Sequence, residues 1–369
     1  MDVAPGGAGP LNVCPPYLGR DKMGPNLRDD GNKKPTINDV ARLAQVSKKT
    51  VSRVINQSPF VKAETRDKIN QIIEEIGFSP DPQARGLAFR RSFLIGMVYD
   101  NPNPQYVVNT QLGLLDAMRG SGYELVVHPC QRGNPTFLAD FRRFIERQKL
   151  TGVVLTPSVS EDERVKEILE EIGCAYIRIA SVPVDDAAHI IVSNDRMGGR
   201  AAARHLIELG HKRMAFISGP QTFRSSHERR GGFEDELRDR DMALAPEYTI
   251  QGAYTFESGL ACAAELLKRR PRPTAIFAGN DEMAAGALHA ARREGLEVPR
   301  DVSVIGFDDF QIASRVWPPL TTIRQPTREI GRMAAEKLMG VEFDGSPESD
   351  AAQTLPTLVI RESTGPAPA

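Results

Sequence analysis

The chain has 369 residues, enough for two or three domains with cores of their own, and its 40% hydrophobic and 26% charged residues are typical of a soluble globular protein. Its formal net charge of −1 argues neither for nor against binding to nucleic acid. Its 4 cysteines include no Cys-x-x-Cys pair, which argues against a zinc ribbon or a disulfide framework. The sequence shows no apolar run of membrane-spanning length and no signal-peptide pattern, which argues against a membrane or exported protein and favours the reducing cytoplasm.

Residues 1–34 are rich in Gly, Pro and Asn without periodicity, and they predict a disordered extension. Cations clearly outnumber acids between Lys33 and Arg91. The positive charge is therefore concentrated near one end of the chain.

Two short amphipathic helices are predicted within the segment TINDVARLAQVSKKTVSRVIN, which runs from Thr36 to Asn56. Thr36 and Asp39 have the spacing of a capping box at the first helix, and Ser47 can cap the second. Apolar residues recur at helical spacing at Ile37, Val40, Ala41, Ala44, Val51, Val54 and Ile55. Two helices with so short a joint indicate a helix-turn-helix over residues 35–80, whose second helix would lie in the DNA major groove.

The polar residues of this segment suit contacts with DNA. Lys48, Lys49 and Arg53 are predicted to point outward, where cations can bind phosphates and the guanine edge. Thr50, Ser52 and Asn56 can reach phosphates as neutral donors, and Thr36 at the first cap is included among the DNA-binding candidates. Periodicity alone fits an amphipathic helical hairpin with a solvated basic face equally well.

A third helix is predicted over Ala63–Ile76, with an apolar stripe and Gly77 as its cap. Residues 81–92 then read as a linker with a short helix at Gln83–Phe89, which Gly86 should make marginal. Within it, Leu87 taken alone could simply pack against the next domain.

From Phe93 onward, eight short apolar runs alternate with helical stretches, which predicts an α/β fold with parallel sheets. The runs are FLIGMVY, ELVVH, GVVLT, AYIRI, HIIVS, MAFIS, AIFAG and SVIGF, and the predicted helices include Phe256–Lys268 and Asp281–Arg293. Eight strands are too many for a single lobe, so we predict two doubly wound lobes over residues 93–340. Lobe 1 would take about 93–193 plus 322–340, and lobe 2 about 194–320. The tail, residues 341–369, holds one more apolar run that should complete lobe 2, and its end is expected to be disordered.

Polar residues that follow the apolar runs are the candidates for ligand binding, because ligands of open parallel sheets bind beyond the carboxyl ends of the strands. They are Asp100, Arg178, Asn280, Asp281 and Asp308. Such groups suit hydrogen bonding to neighbouring hydroxyls, which indicates a sugar-like ligand. Alternatively, Asn280 and Asp308 could merely cap the helices that follow.

The wording of several segments closely resembles the lactose/galactose-repressor (LacI/GalR) family of bacterial transcription regulators. These are the N-terminal segment quoted above, ETRDKINQIIEEIGFSP, ARGLA, RAAARHLIELGHKRMAFISGP, AGNDEMAAGALHAARREGLEVPRDVSVIGFDD and PPLTTIRQP. The resemblance implies an all-α DNA-binding head, a hinge helix and a bilobed periplasmic-binding-protein-like domain. It further implies a regulator, most often a repressor of carbohydrate-catabolism genes, that binds a palindromic operator as a homodimer under the control of a small sugar-like effector.

Matched position by position, the family's minor-groove leucine falls on Leu87. Its effector-binding residues fall on Arg229, Asn280, Asp308 and Tyr254, with Tyr106 and Asp100 lining the pocket from the first lobe. Arg229 could instead be a surface partner of Glu234 or Asp235. The tail lacks the leucine heptads of a tetramerising coiled coil, which favours a dimer.

The chain departs from the family pattern at Gln45, where the turn usually holds Gly, and at Asp81, where the hinge usually holds Asn. Arg178 replaces a frequently acidic or apolar pocket residue, which would suit an anionic or differently arranged ligand. No phosphate-binding loop, no G-x-G-x-x-G after a strand and no metal-ligand spacing among the 6 histidines is present, so neither an enzyme, a cofactor nor a metal site is expected. Two rival interpretations remain: a ligand-binding module that does not read DNA, and an activator or corepressor-dependent regulator.

Overall fold

The computed structural model describes residues 35–55, 60–78, 92–340 and 354–368, and the chain divides into two compact units, Met1–Asp81 and Pro82–Ala369. The predicted extension at 1–34, the hinge helix and two DNA-binding candidates, Asn56 and Leu87, lie outside the described residues. Within the described residues, no helix is both long enough and apolar enough to cross a membrane.

The first unit contains three helices, α1 (Ile37–Ala44), α2 (Lys48–Ile55) and α3 (Ala63–Ile76). They enclose a small core built on Val40, Val51 and Ile69. Gln45 between α1 and α2 has φ 55, the left-handed conformation that favours glycine, which is the residue the family usually has at this position.

The first lobe of the second unit has a five-stranded parallel sheet in the order β2-β1-β3-β4-β5. Its strands are β1 (Leu94–Tyr99), β2 (Glu124–Pro129), β3 (Gly152–Leu155), β4 (Ala175–Ala180) and β5 (Ile190–Val192). Between them run α4 (Pro104–Met118), α5 (Phe137–Gln148) and α6 (Glu163–Ile172). β1 and β3 are almost wholly buried, as their uninterrupted apolar runs require.

The second lobe has a six-stranded sheet in the order β11-β10-β9-β8-β6-β7, in which only the pairing of β11 is antiparallel. Its strands are β6 (Met214–Ser218), β7 (Thr249–Gln251), β8 (Ala275–Ala278), β9 (Ser303–Asp308), β10 (Thr321–Arg324) and β11 (Thr357–Val359). Its helices are α7 (Asp195–Glu208), α8 (Arg224–Arg238), α9 (Phe256–Lys268), α10 (Asp281–Arg293) and α11 (Gln311–Arg315).

The chain returns to the first lobe with α12 (Thr327–Met339), which packs against α4. The contact is so close that a Cβ on Gly113 would lie 1.9 Å from the carbonyl oxygen of Arg328. β10 pairs with β9, so residues 322–324 belong to lobe 2, whereas the sequence boundary assigned them to lobe 1. The segment LTTIRQPTREIGRMAAEKL, residues 320–338, therefore divides near Gln325. Its first part adds β10 to the sheet of lobe 2, and its second part forms α12, which covers the sheet of lobe 1.

The tail is ordered further than its composition predicts. β11 pairs antiparallel with β10, and Ser363 beyond it is fully buried and donates to the carbonyl of Val304. His211 hydrogen bonds to Thr274, Ser303 and the carbonyl of Gly365. The last hydrogen bond of the tail runs from the amide of Ala367 to the carbonyl of Leu209. The end that was expected to be disordered is thus held by hydrogen bonds to distant segments, which no local sequence pattern shows.

Candidate functional site

A small cavity of about 30 Å³ lies between the two lobes of the second unit, at the carboxyl ends of both sheets. Five predicted ligand-binding residues, Tyr106, Arg229, Tyr254, Asn280 and Asp308, come together there. The remaining lining residues are Asn101, Asn103, Pro157, Ser193, Asp195, Phe223, Ser225 and Gln325. A cavity of this size holds one or two water molecules, so a ligand as large as a sugar requires the lobes to separate first.

Arg229 is the centre of the cavity's polar network. From α8 it donates to the Asp195 carboxylate at 2.8 Å and to the carbonyl of Gly279 at 2.6 Å, and its Nη2 lies 3.3 Å from the Asp308 carboxylate. Its guanidinium carbon sits 3.7 Å from the centroid of the Phe307 ring. Arg229 therefore does not pair with Glu234 or Asp235 on the surface, because two buried carboxylates hold it inside.

Burial sets the protonation of this network. It raises the pKa of Asp308 to about 7, against the lowering effect of Arg229. Burial opposes the charge of Arg229 too, but Asp308 and Asp195 outweigh it, so the pKa of the guanidinium is raised. Burial likewise raises the pKa values of the phenols of Tyr106 and Tyr254. The site thus presents a permanent cation, two phenol groups that stay protonated and a carboxyl that titrates near neutral pH.

The backbone is strained where two of these residues stand. Tyr254 has φ 62, and Asp308 and Asp309 have φ 107 and 57. A Cβ on Gly219 would lie 2.1 Å from the Tyr254 ring, so glycine at this position is what lets the ring approach. Conformations of this kind cluster at binding sites, where the surrounding structure holds them.

Asn280 lines the cavity, and it also caps a helix, which was the alternative role considered for it. Its side-chain oxygen accepts from the amide of Met283 at 2.9 Å and so caps α10, while its side-chain nitrogen donates to the carbonyl of Tyr254 at 3.0 Å. Asp308 does not cap the helix that follows, because the amide of Phe310 at the start of α11 donates to Asp281 instead. Asp281 is fully buried and lies outside the cavity.

Three of the buried polar atoms that lack a hydrogen bond within the described part of the chain belong to cavity residues. They are Asn103 Nδ2, Asp308 Oδ1 and Gln325 Oε1. Asp308 Oδ1 has the ion-pair contact with Arg229 Nη2 at 3.3 Å, so one donor and one acceptor are left without a polar partner among the described residues. Buried polar groups are normally hydrogen-bonded, so this concentration marks the cavity as a place prepared for polar partners such as hydroxyls.

Besides Asp281, two other predicted ligand-binding residues lie outside this cavity. Asp100 lines a neighbouring cavity, where it accepts from the amide of Arg132. Arg178 is fully buried within lobe 1, where it pairs with Asp185 and Glu163. The expectation that Arg178 would attract an anionic ligand therefore does not fit the structure, because its charge is already neutralised.

Asp195, Ser225 and Gln325 were missed by the sequence reasoning. Asp195 follows β5 and Gln325 follows β10, so the rule that found Asn280 and Asp308 applies to them as well. Ser225 stands near the start of α8, where its hydroxyl lies 3.5 Å from the Tyr254 hydroxyl, a contact that no sequence signal marks.

On the helical unit, Lys48, Lys49 and Arg53 are exposed along α2. Ser47 accepts from the amide of Thr50, and the hydroxyls of the two residues lie 2.9 Å apart, which fixes the first turn of α2. Ser52 is partly buried on the same helix.

The first helix of this unit begins as predicted. The amide and hydroxyl of Thr36 both donate to Asp39, and these bonds lower the pKa of its carboxyl. The cap at α1 is therefore present, and it engages the Thr36 hydroxyl.

A helix-turn-helix unit with an exposed basic helix, joined to two lobes around a polar cavity, defines a DNA-binding regulator that responds to a small molecule. Residues 36–81 match the model of bacterial regulatory proteins of the lacI family, and residues 203–364 match a periplasmic binding protein-like domain. The HTH-type transcriptional regulator CelR of Thermobifida fusca is 34% identical over 348 residues, which cover 90% of this chain and 98% of that protein.

Solved structures agree with this match over the same length. A CelR–cellobiose complex superposes with a TM-score of 0.64 at 30% identity, covering 89% of this chain and 99% of that one. The lac repressor dimer bound to operator and the anti-inducer ONPF gives 0.68 at 27% identity, covering 90% and 100%. The chain belongs to the LacI family of bacterial regulatory proteins and is a transcription regulator with a DNA-binding head.

Proposed function

We propose that the protein is a repressor of carbohydrate-catabolism genes that binds a palindromic operator as a homodimer and is controlled by a sugar-like effector between its lobes. The cavity carries this proposal, because its cation, amides, phenols and carboxyls suit a ring of neighbouring hydroxyls. The relatives agree with it, since one was solved with cellobiose and another as a dimer on operator. The proposed place of action is the bacterial cytoplasm, where operators lie.

The charge of the cavity narrows the effector to an uncharged polyhydroxy compound. Arg229 faces two carboxylates, Asp195 and Asp308, so the cluster has no positive charge left for an anion. Nothing in this arrangement calls for bond breaking, and we propose binding without turnover. A ligand that favours one separation of the lobes shifts operator affinity, typically by about 1–3 kcal/mol of coupling.

Specific DNA readout is proposed for Lys48, Lys49 and Arg53, with Thr36, Thr50 and Ser52 as supporting contacts. Asn56 and Leu87 are the two remaining DNA-binding residues that were predicted from the sequence, and we keep them in the proposal. Because basic heads bind any DNA at low salt, the test must be made near physiological ionic strength.

The experiment is selection of the full-length protein against a random duplex pool, made once without sugar and once with a panel of neutral mono- and disaccharides. Binding to the enriched site is then measured with and without these sugars. We expect a two-fold symmetric site, with base preference relaxed by Lys49→Ala at one position of each half-site. Lys68→Ala, which removes the same charge from an exposed position of α3, should preserve that preference. Absence of enrichment, both with and without the sugars, would contradict DNA readout and favour a ligand-binding module.

A further inference from the structure

Two side chains of lobe 1 reach lobe 2 beside the cavity. The Arg224 amide donates to a carboxylate oxygen of Glu161 at 3.3 Å. Arg132 donates from Nη2 to the carbonyl of Thr222 at 3.4 Å, and from Nη1 to the carbonyl of Ser158 in its own lobe. Both contacts therefore meet lobe 2 at the beginning of α8.

The start of α8 lacks a cap of its own. Phe223 occupies the N-cap position and has no side-chain oxygen, and the first amides of any helix have no partner within the helix. These amides carry partial positive charge, so a carboxylate is the acceptor that suits them best. Because Glu161 belongs to the other lobe, α8 has this partner only while the lobes are together.

The same helix carries Arg229 in its second turn. A helix moves as a rigid element, so a displacement of its first turn relative to lobe 1 also displaces Arg229 relative to Tyr106. The contact of Glu161 and the geometry of the ligand cavity therefore change together.

The Glu161 contact is suited to reversible opening. Its second oxygen, Oε1, is buried and is among the atoms without a hydrogen bond within the described residues. Burial raises the pKa of this carboxyl, against the lowering effect of the Arg224 amide and of Arg132. The gain from the contact is thus partly offset by the cost of burying the carboxylate.

We propose that Glu161 and Arg132 form a latch that holds the two lobes together and sets how readily the cavity opens to admit a ligand. Any effect of this latch on operator binding rests on the proposed function. The latch itself does not, and the free protein is sufficient to test it.

The test is hydrogen exchange of the full-length protein without DNA or sugar, followed by mass spectrometry. The variants are Glu161→Ala, Glu161→Gln, which keeps an oxygen acceptor, and Glu167→Ala as a control on an exposed position of α6. Two segments are compared: residues 224–228 at the start of α8, and residues 101–106, which line the cavity from lobe 1.

For Glu161→Ala we expect exchange about tenfold faster in both segments, because the cap is lost and the cavity opens. Glu161→Gln should fall between this variant and the wild type, and Glu167→Ala should match the wild type. Faster exchange confined to residues 224–228 would reduce Glu161 to a local cap and overturn the latch, as would equal effects of Glu161→Ala and Glu167→Ala. A failed operator selection with a positive exchange result would reject the proposed function alone.

Discussion

Replacing Arg229 by methionine should destabilise the ligand-binding unit strongly. Arg229 is only 6% exposed, and it neutralises Asp195 and Asp308, which are 1% and 6% exposed. Methionine can keep apolar contact with the Phe307 ring but leaves both carboxylates without their cation. Breaking a buried ion pair from one side costs about 3–5 kcal/mol, and we expect the free energy of unfolding at pH 8 to fall by that amount.

The loss should depend on pH in a defined direction. Asp308 already has a pKa of about 7, and without Arg229, which lowers it, the value must rise further. In the unfolded chain the pKa of an aspartate is about 3.9. When the pKa is higher in the folded state, the free energy of unfolding falls as the pH rises from the unfolded value to the folded one. The deficit of Arg229→Met relative to the wild type should therefore be smaller at pH 5 than at pH 8.

Urea unfolding of the full-length protein at both pH values measures this effect. Arg230→Met is the matched control, because its neighbouring guanidinium pairs with Glu234 on the surface, where such a pair is worth about 0.3–0.5 kcal/mol. Adding Asp308→Asn to Arg229→Met should recover part of the loss. The reasoning fails if the two arginine variants are equally stable at pH 8, or if the deficit grows as pH falls.

Two further predictions concern other parts of the chain. Gln45→Gly should relieve the strain of the left-handed backbone between α1 and α2 and stabilise the head by about 1 kcal/mol. Hydrogen exchange in α1 and α2 of the full-length protein should then be slower, and faster exchange would contradict this prediction. Burial lowers the pKa of His211, so the folded state favours the neutral imidazole. The hydrogen bonds of His211 therefore stabilise the fold fully above the unfolded pKa of about 6.5, and this stabilisation decreases as the pH falls below that value. His211→Ala should therefore lower the melting temperature at pH 7.5 and flatten its fall towards pH 5.5, whereas His227→Ala, at an exposed position, should do neither.

Much of the fold could be predicted because its signals are local. The helices at Phe256–Lys268 and Asp281–Arg293 match their predicted bounds, since apolar periodicity runs along both and the cap residues Thr255 and Asn280 mark their starts. The strands β7 and β10 were missed, because β7 has only 3 residues and β10 begins with two threonines that are buried by tertiary contacts. Short or polar strands are specified by their neighbours rather than by their own composition.

The candidate site was partly predictable for a related reason. The ends of strands can be located from the sequence, which is enough to place Asn280 and Asp308 at the cavity. Arg178 also belongs to a strand near the cleft, but its side chain is engaged by Asp185 and Glu163. Which side chains a charged residue meets depends on distant segments, and no spacing rule within one strand supplies that information.

The discontinuous lobes constrain how the protein can form during synthesis. Lobe 1 is incomplete until α12, which ends at Met339, has emerged, and the sheet of lobe 2 lacks its edge strand until residue 359. At about 5–20 residues per second, the head can fold tens of seconds before either lobe is finished. A nascent chain on the ribosome can therefore carry a folded DNA-binding unit while both lobes still lack a segment that is made near the end of translation.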